Sequence, residues 1–140
     1  MKRRTFMKGI AVAGAATGVP GILSAKSPNE KLNIALIGVG GRGKANTNGV
    51  KNENIVALCD VNAKNMAPAA KQFPKATQYQ DWRKCVDQKD IDAVVCSTTD
   101  HTHAFVNVWA MNRDKHVYCE KPLANSVEEA HLVRQKYLEK

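Results

Sequence analysis

The sequence predicts an α/β fold, a doubly wound parallel sheet, and three observations carry that expectation. Short apolar runs rich in β-branched residues recur at Leu32–Gly38, Asn54–Asp60, Ile91–Thr98 and, more briefly, His116–Glu120. Each run is nearly continuous rather than alternating, as expected of strands covered on both faces. Stretches with helical character separate the runs, and strands that alternate with helices build βαβ units and hence parallel pairing.

The first strand, Leu32–Gly38, ends at a glycine, and a helix is expected over Arg42–Lys51. The second strand, Asn54–Asp60, leads into a helix over Ala63–Phe73. Ala76–Tyr79 reads as a short edge strand, followed by a helix over Asp81–Asp87. The third long strand, Ile91–Thr98, precedes a helix over Thr102–Arg113, and His116–Glu120 is the last strand-like run. The final helix, Ser126–Glu139, opens with Ser126-x-x-Glu129, a capping box that satisfies free backbone donors at the helix start. No internal repeat or low-complexity tract interrupts this order. A length of 140 residues suits one domain with one core.

Composition bounds the function classes. The chain is 44% hydrophobic and 24% charged, the profile of a globular protein. Its net charge of +8 suggests an anionic partner until the charges are located. Lys2, Arg3, Arg4 and Lys8 hold four of the 21 basic residues, which leaves 17 against 13 acidic ones, spread without a basic run. Aromatic residues do not interleave with basic ones to form a stacking surface, so nucleic acid is not an expected partner.

Residues 1–30 read as an address and linker. A basic start, Met1–Gly9, is followed by small and apolar residues with no charge until Lys26, too short and glycine-rich to span a membrane. Arg3-Arg4, with Phe6 and Lys8 at the matching offsets, resembles the twin-arginine export signal. That resemblance implies handling by the twin-arginine export machinery and a periplasmic or otherwise exported location. Ala25 is the candidate cleavage residue, although Leu23 is larger than an A-x-A site prefers. The four cysteines, Cys59, Cys85, Cys96 and Cys119, show no metal-like spacing. Three of them end strand-like runs, where core packing is the expected role, while the even count in an exported chain allows disulfides.

Four glycines fall within six residues after the first strand: Gly38, Gly40, Gly41 and Gly43. Gly38-x-Gly40-x-x-Gly43 between strand and helix is the pattern of a dinucleotide-binding turn in a Rossmann-type fold. Gly38 permits the tight turn, Gly40 lets a pyrophosphate approach the backbone, and Gly43 lets helix and strand pack closely. The phosphates would then meet the N–H groups at the start of the helix. Asp60 ends the second strand, where an acid is expected to bond a ribose hydroxyl and to repel a 2′-phosphate. NAD is therefore the expected cofactor, and NADP the less favoured one. The twin-arginine route carries folded proteins, which suits a domain that binds its cofactor before export.

Two further segments follow later strands, at the edge where α/β sheets bind ligands. Ser97–Phe105 carries Thr98, Asp100, His101 and His103, and the second segment carries Glu120, Lys121 and Pro122. Read separately, Asp100 or Thr102 caps a helix, the histidines are solvated, and Lys121 is a surface charge. Read together, they surround the place where a nicotinamide would lie. His116 and His131 are expected to be structural or solvated, and no metal site is expected.

"GVGGRG", "CDVN", "TTDHTHAF" and above all "CEKPLA", in this order and spacing, resemble the Gfo/Idh/MocA family of nicotinamide-dependent oxidoreductases. The resemblance spans Lys31–Lys140. It implies a nucleotide-binding domain over 31–140, an active-site lysine at Lys121 that bonds the substrate hydroxyl, and a following proline, Pro122, that is often cis. The cofactor contacts it and the glycine pattern imply are Gly38, Gly40, Gly41, Arg42, Gly43, Asp60, Thr98, Asp100, His103 and Glu120. The family also carries a second α/β domain with the remaining catalytic group and often the oligomer interface, so a homo-oligomer is expected of the full-length form. Against that pattern the final strand of the nucleotide domain and the second domain are expected to be absent from this chain. The expected substrate is a carbohydrate or polyol, oxidised by hydride transfer. Two alternatives remain open: an NAD-dependent glycoside hydrolase of the same family, or a non-catalytic dinucleotide-binding fragment.

Overall fold

Five β-strands and five α-helices alternate along residues 31–140, the part of the chain that the structure, a computed structural model, describes. They are β1 (Asn33–Ile37), α1 (Gly41–Val50), β2 (Asn54–Cys59), α2 (Ala63–Gln72), β3 (Thr77–Tyr79), α3 (Trp82–Val86), β4 (Ala93–Cys96), α4 (His103–Met111), β5 (His116–Cys119) and α5 (Val127–Glu139). A single turn of 3₁₀ helix, Asp100–Thr102, precedes α4. The expected signal over residues 1–30 lies outside the described residues.

All strand pairs are parallel, in the order β3-β2-β1-β4-β5. The chain winds outward from β1 to β3, then crosses back to β4 on the other side of β1. This reversal opens a crevice at the carboxyl ends of β1 and β4, the switch point of a doubly wound sheet. The predicted α/β fold is therefore the observed one, and Thr77–Tyr79 is the edge strand expected of Ala76–Tyr79.

The apolar runs are continuous because both faces of the sheet are buried. Along β1, Ala35 and Ile37 join Val94, Cys96, Val86, Val106 and Ala110 on the face covered by α3 and α4. Ile34 and Leu36 join Leu58, Val95, Met66 and Ala69 on the opposite face, under α2. A period of two thus splits each strand between two cores. Leu36 and Leu58 are fully enclosed, so truncating either to alanine would cost about 2–5 kcal/mol.

The structure corrects two expected helix starts. Neither Asp100 nor Thr102 caps α4 with its side chain. Thr102 Oγ1 instead donates back to the Thr99 carbonyl at 2.8 Å and lies 2.6 Å from Thr98 Oγ1, so this hydroxyl holds the corner after β4. At α5, Ser126 Oγ accepts from Glu129 N at 3.2 Å as expected, but the Glu129 carboxylate accepts from Asn125 N, one residue before the cap. Lys115 is buried just before β5, with Nζ donating to the carbonyls of Gln88 (2.8 Å) and Ile91 (3.0 Å). That lysine ties the loop leading into β4 to the start of β5.

Candidate functional site

The glycine cluster turns β1 into α1 within three residues. Gly38 has φ of +81°, and a Cβ there would lie 2.5 Å from the Ser97 carbonyl oxygen, so the end of β4 leaves room only for glycine. Gly43 is buried in α1, and a Cβ on it would collide with the Gly38 carbonyl oxygen. It packs helix on turn, as the spacing implied. Gly40 caps α1 in extended backbone, and its Cβ would come within 2.5 Å of Asn65 Cγ. Gly41, at φ of +47°, faces open space. The loop's open direction is thus at Gly41, while the bare side of Gly40 is filled by the movable end of Asn65.

Asp60 organises this loop. Its Oδ2 accepts from the backbone N–H of Val39 (3.0 Å) and Gly40 (3.3 Å), and Oδ1 accepts from Asn62 N (2.8 Å). Asn65 Nδ2 lies 3.3–3.4 Å from both oxygens. The carboxylate therefore joins the end of β2 to the turn after β1 and to the start of α2. Asn62 in turn caps α2, accepting from Lys64 N at 3.0 Å. Asn62 and Asn65 escaped the sequence reading. Their signal was a pair of carboxamides two and five residues beyond the acid.

Above the sheet edge these groups enclose a cleft of about 620 Å³. Gly38, Gly40, Gly41, Arg42, Asp60 and Thr98 line it, all expected from the sequence, together with Asn62, Asn65, Trp82, Thr99 and His101. Gly43, Asp100, His103, Glu120 and Lys121 are not among its lining residues.

Each of those five has another place. Asp100 is exposed on the 3₁₀ turn. His103 was expected to contact the cofactor, but it is 1% exposed. Its Nδ1 lies 2.6 Å from the Pro122 carbonyl oxygen and its Nε2 3.1 Å from that of Thr98. It is a strut between the loop after β4 and the loop after β5. Glu120 accepts from Arg42 Nε and Asn46 Nδ2, both at 2.9 Å, and Asn46 also donates to Ser97 Oγ at 2.8 Å. The Asn46 amide and the Arg42 guanidinium hold the Glu120 carboxyl below the usual carboxylate range. Glu120 thereby fastens its loop to the first turns of α1. Lys121 is exposed beside it, and the Lys121–Pro122 peptide is cis.

The arrangement fits a dinucleotide. α1 begins with no side-chain cap and no acidic residue in its first turn, and although the Gly40 N–H goes to Asp60, the N–H groups that follow it are left for the cleft. Arg42 lies on the same wall with its side chain 68% exposed, and Asp60, bonded to the Gly40 N–H, also lines the cleft.

A family model described as "Oxidoreductase family, NAD-binding Rossmann fold" matches residues 32–139, and one for the twin-arginine translocation signal matches residues 1–20. The inositol 2-dehydrogenase of Salmonella typhimurium is 33% identical over 98 residues, covering 66% of this chain and 29% of that protein. A glycosyl hydrolase family 109 protein of Bacteroides fragilis is 33% identical over 110 residues, 70% of this chain and 24% of the relative. Among solved structures, myo-inositol dehydrogenase from Lactobacillus casei in complex with NAD(H) and myo-inositol superposes with a TM-score of 0.72 at 28% identity. That match covers 79% of this chain and 34% of the solved one. The chain thus spans about a third or less of these relatives' length. It belongs to the Gfo/Idh/MocA oxidoreductases, with the family's NAD-binding Rossmann fold at residues 32–139 and a twin-arginine signal that marks it for export, typically to the periplasm.

Proposed function

We propose that this domain serves an exported oxidoreductase that moves a hydride between NAD and a hydroxyl-bearing carbon of a sugar or polyol. The observation that carries the reading is the Glu120 clamp, because it holds the Lys121 segment against the first turns of α1, beside the cleft. When bound, NAD supplies the hydride acceptor or donor. The leading amides of α1 and Arg42 orient its phosphates, and Asp60 favours an unphosphorylated ribose, hence NAD over NADP. Lys121 stands at the end of β5 to hold the substrate oxygen with a compact ammonium that can also pass a proton. In this reading residues 1–30 are signal and linker, 31–140 are the cofactor domain, and the assembled enzyme is a homo-oligomer without a nucleic-acid partner.

The test is Lys121→Ala in the full-length protein. Turnover should fall by roughly 10²–10⁴-fold, the contribution of a positioned proton-transfer group, with NAD affinity little changed. Lys121→Arg should not restore it, since a planar, always-charged guanidinium is a poor substitute. Near-normal turnover in both variants would return Lys121 to the role of surface charge. The relation to a glycosyl hydrolase supports a second reading, NAD-dependent glycoside cleavage. Aglycone release from aryl glycosides without net NADH would favour it over the dehydrogenase.

A further inference from the structure

Cys96 and Cys119 end β4 and β5, and they are direct partners in the parallel register of that pair. Both side chains leave the sheet toward the core beneath α3 and α4. Neighbouring strands stand about 4.8 Å apart, within the Cα separation that a disulfide spans. The two Sγ atoms and a ring nitrogen of His103 all lie within 4.8 Å of one another. Cys96 is fully buried, whereas Cys119 is partly exposed.

The two thiols face each other within 4.8 Å, and their mutual interaction sets where a charge on the pair sits. With Thr98 Oγ1 at 3.4 Å from Cys96 Sγ, that interaction draws Cys96 below its ordinary value and pushes Cys119 up. Loss of one proton from the pair thus leaves the charge on Cys96, with Cys119 still protonated. The same three side chains have the makings of a soft-metal site, but both His103 nitrogens point at carbonyl oxygens. No imidazole lone pair then meets the sulfurs. A paired, partly reachable dithiol remains.

We propose that Cys96 and Cys119 form a redox-active dithiol whose disulfide pins the edge strand β5, and with it the Glu120–Pro122 segment, to β4 in the exported chain. The co-reactant is a disulfide donor, either a small disulfide or a disulfide-bearing protein. Cys119, the reachable thiol, passes its proton to the Cys96 thiolate and attacks the donor, forming a mixed disulfide and releasing one donor thiolate, which takes that proton from Cys96. The Cys96 thiolate then attacks Cys119 Sγ, the mixed bond breaks, and the second donor thiolate leaves. Two electrons pass to the donor, and the two protons lost by the cysteines end on its two thiols. Among the described residues β5 pairs with β4 alone, through four residues, so a covalent tie at its last position changes what holds that strand. The bond does not rest on a catalytic role for Lys121, so either reading can fail while the other stands.

A second pair supplies an internal control. Cys59 and Cys85 also interact, but both are enclosed in the core. The fold should therefore oxidise one pair and spare the other.

The experiment takes the reduced 140-residue chain through glutathione buffers of increasing oxidising poise. Free thiols counted after denaturation should fall from four to two, peptide mapping should find a Cys96–Cys119 cross-link, and hydrogen exchange across His116–Cys119 should slow. Cys119→Ser should retain its three remaining thiols. Retention of all four thiols at the most oxidising poise, a cross-link at Cys59–Cys85, or loss of two thiols in Cys119→Ser would overturn the assignment. Mapping on the unsubstituted chain decides the matter even if the serine variant misfolds. A cross-link without slower exchange in β5 would overturn the pinning.

Discussion

Replacing Asp60 should damage the fold before it damages the cofactor site. Three backbone N–H groups end on its carboxylate, two of them at 3.0 Å or less, and the side chain is only 9% exposed. Hydrogen bonds to a charged acceptor contribute about 1.5–3 kcal/mol each. The Gly40 contact is long and partly wet, so Asp60→Ala should cost about 3–5 kcal/mol in all, a large share of the roughly 5–15 kcal/mol of a small domain. At about 4 °C per kcal/mol, Tm should drop by about 10–20 °C. Asp60→Asn should fall between the two. Its carboxamide oxygen can still accept from Val39 and Gly40, but its NH₂ then faces the Asn62 N–H, donor against donor, for about 1.5–3 kcal/mol. Differential scanning calorimetry ranks the three proteins. Titration with NAD and NADP, at a temperature where circular dichroism shows all three folded, reads the site. NAD affinity should fall about 10–100-fold in both variants, with its advantage over NADP narrowed. A Tm for Asp60→Ala within about 3 °C of the parent would refute the loop-organising role. Equal affinity of the parent for NAD and NADP would refute the discrimination.

Gly40→Val should weaken NAD by more than about 100-fold by crowding the turn, and it must also evict the Asn65 carboxamide from Asp60. Asn65→Ala separates the two effects, since it removes the carboxamide and leaves the turn bare. Equal NAD loss in both variants would show that Asn65, not the missing side chain at Gly40, matters. Lys115→Met keeps the aliphatic stem but leaves the Gln88 and Ile91 carbonyls without their donor, which should lower stability by about 2–4 kcal/mol in chemical denaturation. An unchanged denaturation midpoint would show that water replaces the ammonium. For Glu120 the folded pKa is depressed, so its contact with Arg42 and Asn46 is complete above the unfolded carboxylate value of about 4.3 and fades only as pH falls through the lower folded one. A carbon-detected NMR titration should place the Glu120 midpoint below that value, and Asn46→Ala should raise it. An ordinary midpoint in the parent would show that the clamp is absent in solution.

Much of this protein was settled by local sequence. Continuous apolar runs could only be strands buried on both faces, and the observed strands fall within one or two residues of those runs at most ends. Gly38 and Gly43 were legible because their need is steric and short-range: each stands where a Cβ would meet backbone. Asp60 was legible by its distance from the turn, whereas the run of glutamate, lysine and proline marked the segment at Glu120–Pro122 without foretelling the Glu120 clamp. What the sequence could not assign was direction. His103 is at the right corner but turns inward, where two loop carbonyls converge on its ring. Glu120 turns toward α1 because Asn46 and Arg42, more than 70 residues earlier, present donors there. Four cysteines spaced far apart along the chain become two contacting pairs only when β4 lies against β5 in one particular register and α3 closes over β2. Periodicity reports which face of an element is buried, since that follows from the geometry of one segment. Which side chains meet across elements depends on strand order and register, and those are decided by the packing of the whole sheet.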